Sequence, residues 1–423
     1  MSDRPAAGTP RTWKLGAPGP IALAAASIGV LIPIMRVLVE QAGAGSTAAG
    51  VFTASHVLGG IVGAALGARA LRRAGSARAL ATLALLGSVA VTLAMAAIPS
   101  LSIRIGLRFF DGFCHLLAIT ALVAAATSGD AAVRARRAVT MGVAIVLGIA
   151  GGLGIGSQLG DPALALVVAA ALSAAALVVV LAQVPAEPLP AAVAAPRSGS
   201  GPHPRGAETP VVQTAIDRAG AGPFAPGLLA FGERFIFGTL SIALPFLATP
   251  ARVGMVLGVF MVASVGAMPL ARRYAAATSA RRLAVRSTLA FTLTLAVAGF
   301  VDVLAAIPAA LVWAVASGAA AGSLYASALV LVARSTVIEE RARDMATVHA
   351  AGNAGHALGA LLAGFLIAAL HSMLAIVLPG IGIIAAATLG VWITVPEAAR
   401  DCPVIAGLTP GDEEPARSIA IDA

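Results

Sequence analysis

Charged side chains are rare in the long apolar stretches of this 423-residue chain, and the few that occur are grouped. One stretch carries Arg104, Arg108, Asp111 and His115, at spacings of four, three and four residues. Residues three or four apart share one face of an α-helix. Arg108 on such a face can hold Asp111 or a bound anion, and a proton on Asp111 would release the pair. We expect Arg108, Asp111 and His115 to bind a ligand and to couple its binding to proton transfer; a static Arg–Asp pair that locks packing is the alternative.

A second group lies in a later apolar stretch, where Glu233 and Arg234 are adjacent. Neighbouring residues on a helix point roughly 100° apart. We therefore expect one of the two to face a cavity and the other a neighbouring helix, with Glu233 as the candidate for proton or cation binding. Tyr325 is a candidate hydrogen-bond donor to a ligand, or it bonds only to backbone.

Histidines suggest polar packing rather than a metal site. His349, Asn353 and His356 follow one another at steps of four and three, which places them on one helix face. A metal site needs more ligands, and no Cys or Asp accompanies them. We predict a polar seam against another helix or the rim of a cavity there, and no metal or other cofactor. His56 is isolated in the sequence, and packing is the simplest role for it and for His115.

The composition excludes most classes of protein. The chain is 59% hydrophobic and 11% charged, whereas soluble domains carry about 25% charged residues. Its mean hydropathy is +0.94. These values exclude a soluble enzyme, a disordered protein and a nucleic-acid binder, despite a net charge of +9. Two cysteines, Cys114 and Cys402, are too few for a disulfide framework.

The hydropathy pattern predicts an all-α integral membrane protein with twelve spans. A helix needs about 20 apolar residues to cross the hydrocarbon core. We place spans 1 to 12 at 17–38, 47–68, 79–98, 104–127, 138–158, 163–184, 225–248, 253–271, 284–304, 308–332, 345–370 and 374–395. The arginines cluster in alternate turns, which by the positive-inside rule puts both termini in the cytoplasm. We expect the protein to lie in the cytoplasmic (inner) membrane.

A proline-rich segment divides the spans into two groups of six. Residues 185–223 contain eight prolines and are predicted to be a disordered cytoplasmic linker. The chain is thus organised as an N-terminal bundle over 1–184, the linker, a C-terminal bundle over 224–396 and a cytoplasmic tail over 397–423. The two bundles resemble each other in sequence. Gly63 and Arg69 align with Gly266 and Arg272 at an offset of 203 residues.

Glycines repeat between the two bundles as well. At an offset of 207 residues, Gly148 and Gly152 align with Gly355 and Gly359. Small residues let membrane helices approach closely. We predict that these four glycines pack helix against helix.

Twelve spans, a long central loop and repeated basic turns resemble the major facilitator superfamily. The turn after span 2 is similar to that family's Gxxx(D/G)(R/K)xGx(R/K)(R/K) motif, and Arg108-Phe-Phe-Asp111-Gly112 to its RxxQG motif in span 4. Membership implies two pseudo-repeated six-helix bundles around a central cavity lined by spans 1, 4, 7 and 10. The basic turns are either topology signals that contact anionic lipids or a conformational latch that clasps helix ends. The candidates for the latch are Gly63, Gly67, Arg69, Arg72, Arg73, Gly266 and Arg272.

The expected function is secondary transport of a small organic molecule, because no GxxxxGK(S/T) loop for ATP occurs. Proton-coupled export of a drug or metabolite is the leading hypothesis. The alternatives are proton-coupled uptake of an organic anion through Arg108 and Arg234, and a non-transporting membrane protein on the same fold. The expected partners are the substrate, protons and the lipid bilayer, without nucleic acid, and the chain is expected to be monomeric and not an enzyme.

Overall fold

The computed structural model describes residues 18–126, 131–185, 224–277, 280–300, 303–335, 341–370 and 373–395, and these contain helices and no strands. The helices are α1 (Pro18–Leu31), α2 (Met35–Glu40), α3 (Ser46–Ala74), α4 (Ala77–Ala97), α5 (Leu101–Ala126), α6 (Ala131–Gly156), α7 (Pro162–Gln183), α8 (Phe224–Leu247), α9 (Pro250–Ala277), α10 (Ala280–Phe300), α11 (Ile307–Ser335), α12 (Arg341–Leu370) and α13 (Met373–Thr394). The predicted linker beyond Pro185 and the predicted tail lie outside the described residues.

The predicted all-helical membrane fold is confirmed. Spans 2 to 12 correspond in order to α3 to α13, and span 1 corresponds to α1 and α2 together. Within the described residues, nine helices are long and apolar enough to cross a membrane. Two shorter apolar helices, Pro18–Leu31 and Thr140–Gly156, belong to spans 1 and 5. The protein therefore passes through a membrane several times.

Span 1 is not the continuous helix that the sequence predicted. α1 ends at Leu31, Pro33 follows, and α2 begins at Met35. Proline has no backbone N–H to donate and its ring crowds the preceding turn, so it interrupts a helix. Tight turns bridge the break, since the Ile32 N–H lies 3.3 Å from the Gly29 carbonyl and the Met35 N–H lies 3.3 Å from the Ile32 carbonyl.

Several helices are longer than predicted at the end that carries the basic turns. α3 continues to Ala74, α9 to Ala277, and α12 begins at Arg341. Charged residues end an apolar stretch but not a helix, because the backbone hydrogen bonds continue into water. α3 stops where Gly75 adopts a left-handed conformation, with φ of 66°, as helix ends often do.

Helices pack closely within each half, with carbonyl oxygens lying against glycines. A Cβ added to Gly148 would lie 2.2 Å from the Ala22 carbonyl oxygen, and one at Gly152 would lie 2.0 Å from that of Ala26. The second half repeats this arrangement between α12 and α8. There, a Cβ at Gly355 would lie 2.2 Å from the Phe231 oxygen, and one at Gly359 would lie 2.0 Å from the Phe235 oxygen. The aligned glycines thus meet equivalent helices.

The two halves meet where α3 packs against α12 and α6 against α9. The Ser46 hydroxyl donates to the Gly364 carbonyl over 2.8 Å, at the start of α3 and the end of α12. Buried Ile34 and Leu38 belong to the same apolar cluster as Ile242, from the other half. We call this part of the bundle the closed end. It lies opposite the basic turns.

Candidate functional site

A buried group of polar side chains occupies the interior of the first half. Five helices contribute to it, namely α1, α3, α4, α5 and α7, and each residue is less than a tenth exposed. Small hydroxyl side chains on three of these helices leave room for two imidazoles and an ion pair. We call this group the polar cluster, and it consists of Ser27, His56, Ser88, Thr92, Arg108, Asp111, His115 and Ser173.

Asp111 lies at the centre of the polar cluster and is fully buried. Its carboxylate pairs with the Arg108 guanidinium, one helical turn away. The Ser88 hydroxyl donates to Oδ1 over 2.9 Å, and the Thr92 hydroxyl donates over 3.2 Å. His115 Nδ1 lies 2.9 Å from the same oxygen. A buried charge is tolerated when it is paired and hydrogen-bonded, and this carboxylate is both.

His115 is held from both sides of its ring. Its Nε2 lies 2.7 Å from the Ser27 hydroxyl and 3.5 Å from that of Ser173. Its Nδ1 faces Asp111 and also lies 3.3 Å from the Ser88 hydroxyl. The structure therefore brings Arg108, Asp111 and His115 together, as their spacing on one helix face had predicted.

His56 also belongs to the polar cluster, although it stands alone in the sequence. Its Nδ1 lies 3.3 Å from Asp111 Oδ2, and its ring centre lies 5.7 Å from that of His115. Neither ring nitrogen has a hydrogen-bond partner. The one sequence signal for this contact is Gly112, beside Asp111, where a Cβ would lie 1.8 Å from the His56 carbonyl oxygen.

Arg104 and the Arg36–Glu40 pair lie outside the polar cluster. Arg104 shares a face with Arg108 but donates through Nε to the Met95 and Ile98 carbonyls, over 2.9 and 2.6 Å. It thereby satisfies carbonyls at the end of α4. Arg36 and Glu40 form an exposed pair at 2.8 Å.

The charged pair of the second half differs from its predicted geometry. Glu233 and Arg234 do not turn to separate partners, because Arg234 Nε lies 3.2 Å from Glu233 Oε2. The long arginine side chain bends back to its neighbour, which the angle between adjacent Cα positions did not anticipate. The guanidinium also lies over the Tyr325 ring, 5.5 Å from its centre. Tyr325 Oη in turn lies 3.2 Å from His349 Nδ1.

The two histidines of the predicted polar seam on α12 have different neighbours. His349 reaches Tyr325, whereas His356 packs edge-on against Phe237, with ring centres 5.3 Å apart. His356 also lies close enough to His56 for a charge on either ring to act on the other. Asn353 is half-buried between them.

The predicted latch residues are only partly described. A Cβ at Gly63 would lie 2.3 Å from the Phe113 carbonyl oxygen, and one at Gly67 would lie 2.9 Å from the Thr120 side chain. Both positions therefore bring α3 close to α5. Arg69 is exposed near the end of α3, and so is Arg73. A Cβ at Gly266 would meet nothing within 4 Å, and the side chains of Arg72 and Arg272 lie outside the described residues.

The distances within the polar cluster would suit a metal ion, but the net charge of its side chains would not. Ligand atoms of His56, Asp111 and His115 lie within 4.8 Å of one another. However, the Arg108 cation already lies on the Asp111 carboxylate. A divalent ion added there would raise the buried positive charge without a further anion to balance it.

Comparison with known proteins identifies the fold. Residues 224–410 match the model of the Major Facilitator Superfamily. No curated protein matches the chain in sequence. Among solved structures, the D-xylose-proton symporter superposes with a TM-score of 0.67 at 16% identity, covering 90% of this chain and 97% of that one.

Two further solved structures are similar over most of the chain. The human organic anion transporter MFSD10 has a TM-score of 0.61 at 17% identity, covering 89% of this chain and 98% of that one. A bacterial homologue of the human lysosomal transporter Spinster, in an inward-facing and occupied conformation, has a TM-score of 0.68 at 13% identity, covering 92% and 98%.

Proposed function

This chain has the fold of the Major Facilitator Superfamily, and the sequence of its second half matches that family; on this premise we propose that it exports a small organic molecule in exchange for protons. The transport cycle is alternating access between two six-helix bundles, residues 1–184 and 224–396. The protein lies in the inner membrane with both termini in the cytoplasm. It acts as a monomer.

The observation that carries the proposal is the buried Arg108–Asp111 pair. A charge at the centre of a bilayer costs at least about 2.5–3.5 kcal/mol, and ionisable residues inside membrane helices are usually functional. One proton added to this cluster changes its net charge and weakens the pair. A packing contact between α3, α4 and α5 would need only apolar side chains. The polar cluster therefore suits a group that gains and loses a proton during transport.

The closed end fits one state of an alternating-access cycle. The contact between α3 and α12 passes through Gly50 and Gly364 rather than through interlocked large side chains, because a Cβ at either glycine would lie 2.6 Å from a carbonyl oxygen. Such a seam can part and reform without large changes of side-chain rotamer. The exposed Arg69 and Arg73 at the opposite end are then placed to stabilise the alternative state.

We assign substrate contacts to the second half, at Glu233, Arg234 and Tyr325. The Arg234 side chain is 25% exposed while it pairs with buried Glu233. Export of an apolar or amphipathic solute is favoured because Ala, Val, Leu and Gly predominate in the spans that the family fold places around the cavity. Binding sites of this composition suit apolar ligands.

Uptake of an organic anion is the second candidate. It is favoured by the partly exposed Arg234 guanidinium above the Tyr325 ring, a geometry in which an arginine can accept an anion while its other face stays on the aromatic ring. In this alternative, Glu233 is the counter-ion that the substrate displaces.

The test uses everted membrane vesicles from cells that overproduce the full chain. Respiration acidifies the vesicle interior, a fluorescent dye reports the gradient, and cations, neutral drugs and organic anions are added in turn. We expect at least one compound to dissipate the gradient in wild-type vesicles and not in Asp111→Asn vesicles. If the compound still dissipates the gradient in Asp111→Asn vesicles, the Arg108–Asp111 ion pair has only a structural role.

The matched control is Asp161→Asn, the same substitution at the exposed start of α7. Asp161 caps that helix by accepting from the Ala163 N–H over 2.9 Å, and asparagine can cap equally well. This variant should dissipate the gradient as the wild type does. Silence of the wild type across the panel would argue against export, and entry of labelled anions into intact cells would then test the second candidate.

A further inference from the structure

We propose that His56 is the group that takes up the proton in the polar cluster, with Asp111 as its permanently charged counter-ion. This inference rests on the proposed proton coupling but assigns it to a residue that the sequence did not single out. The step is the binding of one proton from water by a neutral imidazole. No other bond forms or breaks.

Asp111 is poorly placed to accept a proton. Its two oxygens already receive the Arg108 guanidinium, two hydroxyl hydrogen bonds and the contact with His115. A proton on the carboxyl group would convert these charge-assisted interactions into weaker neutral ones. It would also leave Arg108 buried without its anion.

His56 has the opposite situation. It is only 5% exposed, and neither nitrogen is hydrogen-bonded. Its Nδ1 faces Asp111 Oδ2 at 3.3 Å. A neutral imidazole gains little interaction energy with the carboxylate at that distance. An imidazolium would form an ion pair with it and donate a charge-assisted hydrogen bond. A buried polar group left without a partner is costly, so its position calls for an explanation.

Comparing the two protonated states decides between the residues. Either way the cluster gains one positive charge, so the change in net buried charge is the same and cancels from the comparison. A proton on His56 leaves Asp111 ionised between two cations and keeps all of its hydrogen bonds. A proton on Asp111 loses the ion pair with Arg108. The state with the proton on His56 is therefore the more stable of the two.

The groups around His56 include some that attract a positive charge on its ring and some that repel it. From α5 His56 is faced by Arg108, Asp111 and His115, and His356 of α12 lies within electrostatic range. α4 contributes only the neutral hydroxyls of Ser88 and Thr92 to the cluster. Asp111 alone among these groups attracts a charge on His56. Repulsion from the Arg108 and His356 side chains limits how readily His56 holds a positive charge.

His56 also lies beside the contact between the two halves. Its neighbours Ala54 and Val57 pack with Ala357 of α12 in one buried cluster. On its other side α3 is held firmly against α5, because a Cβ at Gly59 would lie 1.9 Å from the Phe109 carbonyl oxygen. A charge on His56 would therefore form beside the seam with α12, while its ion pair is with Asp111 of the first half. Proton uptake at this position can change how the halves associate.

Solid-state NMR of the full-length protein in lipid bilayers tests the proposal without a known substrate. The six histidines are labelled with ¹⁵N in their rings and the aspartates with ¹³C in their carboxyl groups. Spectra are recorded between about pH 5 and about pH 8, the range in which histidine changes charge. His56→Gln and Asp111→Asn identify the two signals. Should His56→Gln fail to fold, His56→Asn replaces it.

We expect the His56 ring to gain a second N–H as the pH falls, while Asp111 remains a carboxylate throughout. A His56 ring that stays neutral over the whole range overturns the proposal. A protonated Asp111 signal overturns it as well, and this result needs no histidine variant.

The vesicle assay separates this proposal from the proposed function. His56→Gln should lose dissipation of the gradient, whereas His203→Gln, in the predicted linker, should retain it. Dissipation that survives His56→Gln contradicts the role of His56 and leaves proton-coupled export intact. A His56 ring that titrates in a protein for which no compound dissipates the gradient contradicts export and leaves the proton site intact.

Discussion

Hydroxyl side chains around Asp111 decide how well the first half tolerates a buried charge. Ser88 is fully buried and contacts both the Asp111 carboxylate and the His115 ring. Serine is small enough to lie between them, and its rotating hydroxyl can donate to one while accepting from the other. The polar cluster thus depends on residues that carry no charge themselves.

Replacing Ser88 should therefore cost stability out of proportion to its size. Ser88→Ala removes a hydrogen bond to a charged group, worth about 1.5–3 kcal/mol. We expect a lower midpoint of thermal unfolding for the purified protein in detergent, followed by tryptophan fluorescence. Ser157→Ala is the control, because that half-buried hydroxyl donates to the Gly154 carbonyl and accepts from the Gln158 amide, neither of which is charged. Equal midpoints for the two variants would contradict this account of the cluster.

Tyr325 allows a separate test of the second half. Tyr325→Phe keeps the ring beneath Arg234 and removes the hydroxyl that reaches His349. If the hydroxyl contacts substrate, the concentration needed for half-maximal dissipation of the gradient should rise several-fold, with little change in the maximal rate. A variant indistinguishable from wild type would limit Tyr325 to supporting Arg234.

At the scale of helices, hydropathy predicted the type and the order of the helices, but not the break within span 1 or the contacts between helices distant in the sequence. Apolar length is a local property, so spans 2 to 12 could be placed in order, although several helices extend beyond the apolar stretch at the end with the basic turns. The polar cluster depends on contacts between helices that are distant in the sequence, such as His56 on α3 with Asp111 on α5. The break after Leu31 had a local signal in Pro33, but the surrounding apolar run concealed it.

Helix contact through glycine gives a sharp prediction within α5. Gly112→Ala would place a Cβ 1.8 Å from the His56 carbonyl oxygen, so α3 and α5 must separate. Overpacking of this kind costs roughly 1–3 kcal/mol. We expect reduced yield of folded protein on size-exclusion chromatography and loss of dissipation of the gradient.

The same helix offers a matched control in Gly106. A Cβ there meets nothing within 4 Å. Alanine is a better helix former than glycine by about 1 kcal/mol, so Gly106→Ala should fold at least as well as wild type. Damage of similar extent in both variants would mean that α5 is sensitive to substitution in general.

At the scale of the whole molecule, the closed end has to part if the two halves move as proposed. A disulfide across it should therefore stop transport. In a background with Cys114 and Cys402 replaced by alanine, Ser46→Cys and Gly364→Cys place two thiols on neighbouring backbones. These backbones must move slightly apart, because a Cβ at Gly364 would lie 2.6 Å from the Ser46 carbonyl oxygen. Oxidation should abolish dissipation of the gradient, and a reducing agent should restore it.

Each single cysteine variant controls for the substitutions themselves, since neither can form the bond. Full activity of the cross-linked protein would contradict separation at this end. It would then follow that the two halves move about some other contact, such as the one between α6 and α9.

The apolar character of the closed end has a thermal consequence. Ile34, Leu38 and Ile242 are fully buried there, and parting the two halves would bring such side chains into contact with water. Exposure of apolar surface raises the heat capacity. The logarithm of the equilibrium constant between closed and open forms should thus follow a curve, not a straight line, when it is plotted against inverse temperature. Cooling should weaken the apolar contribution to closure.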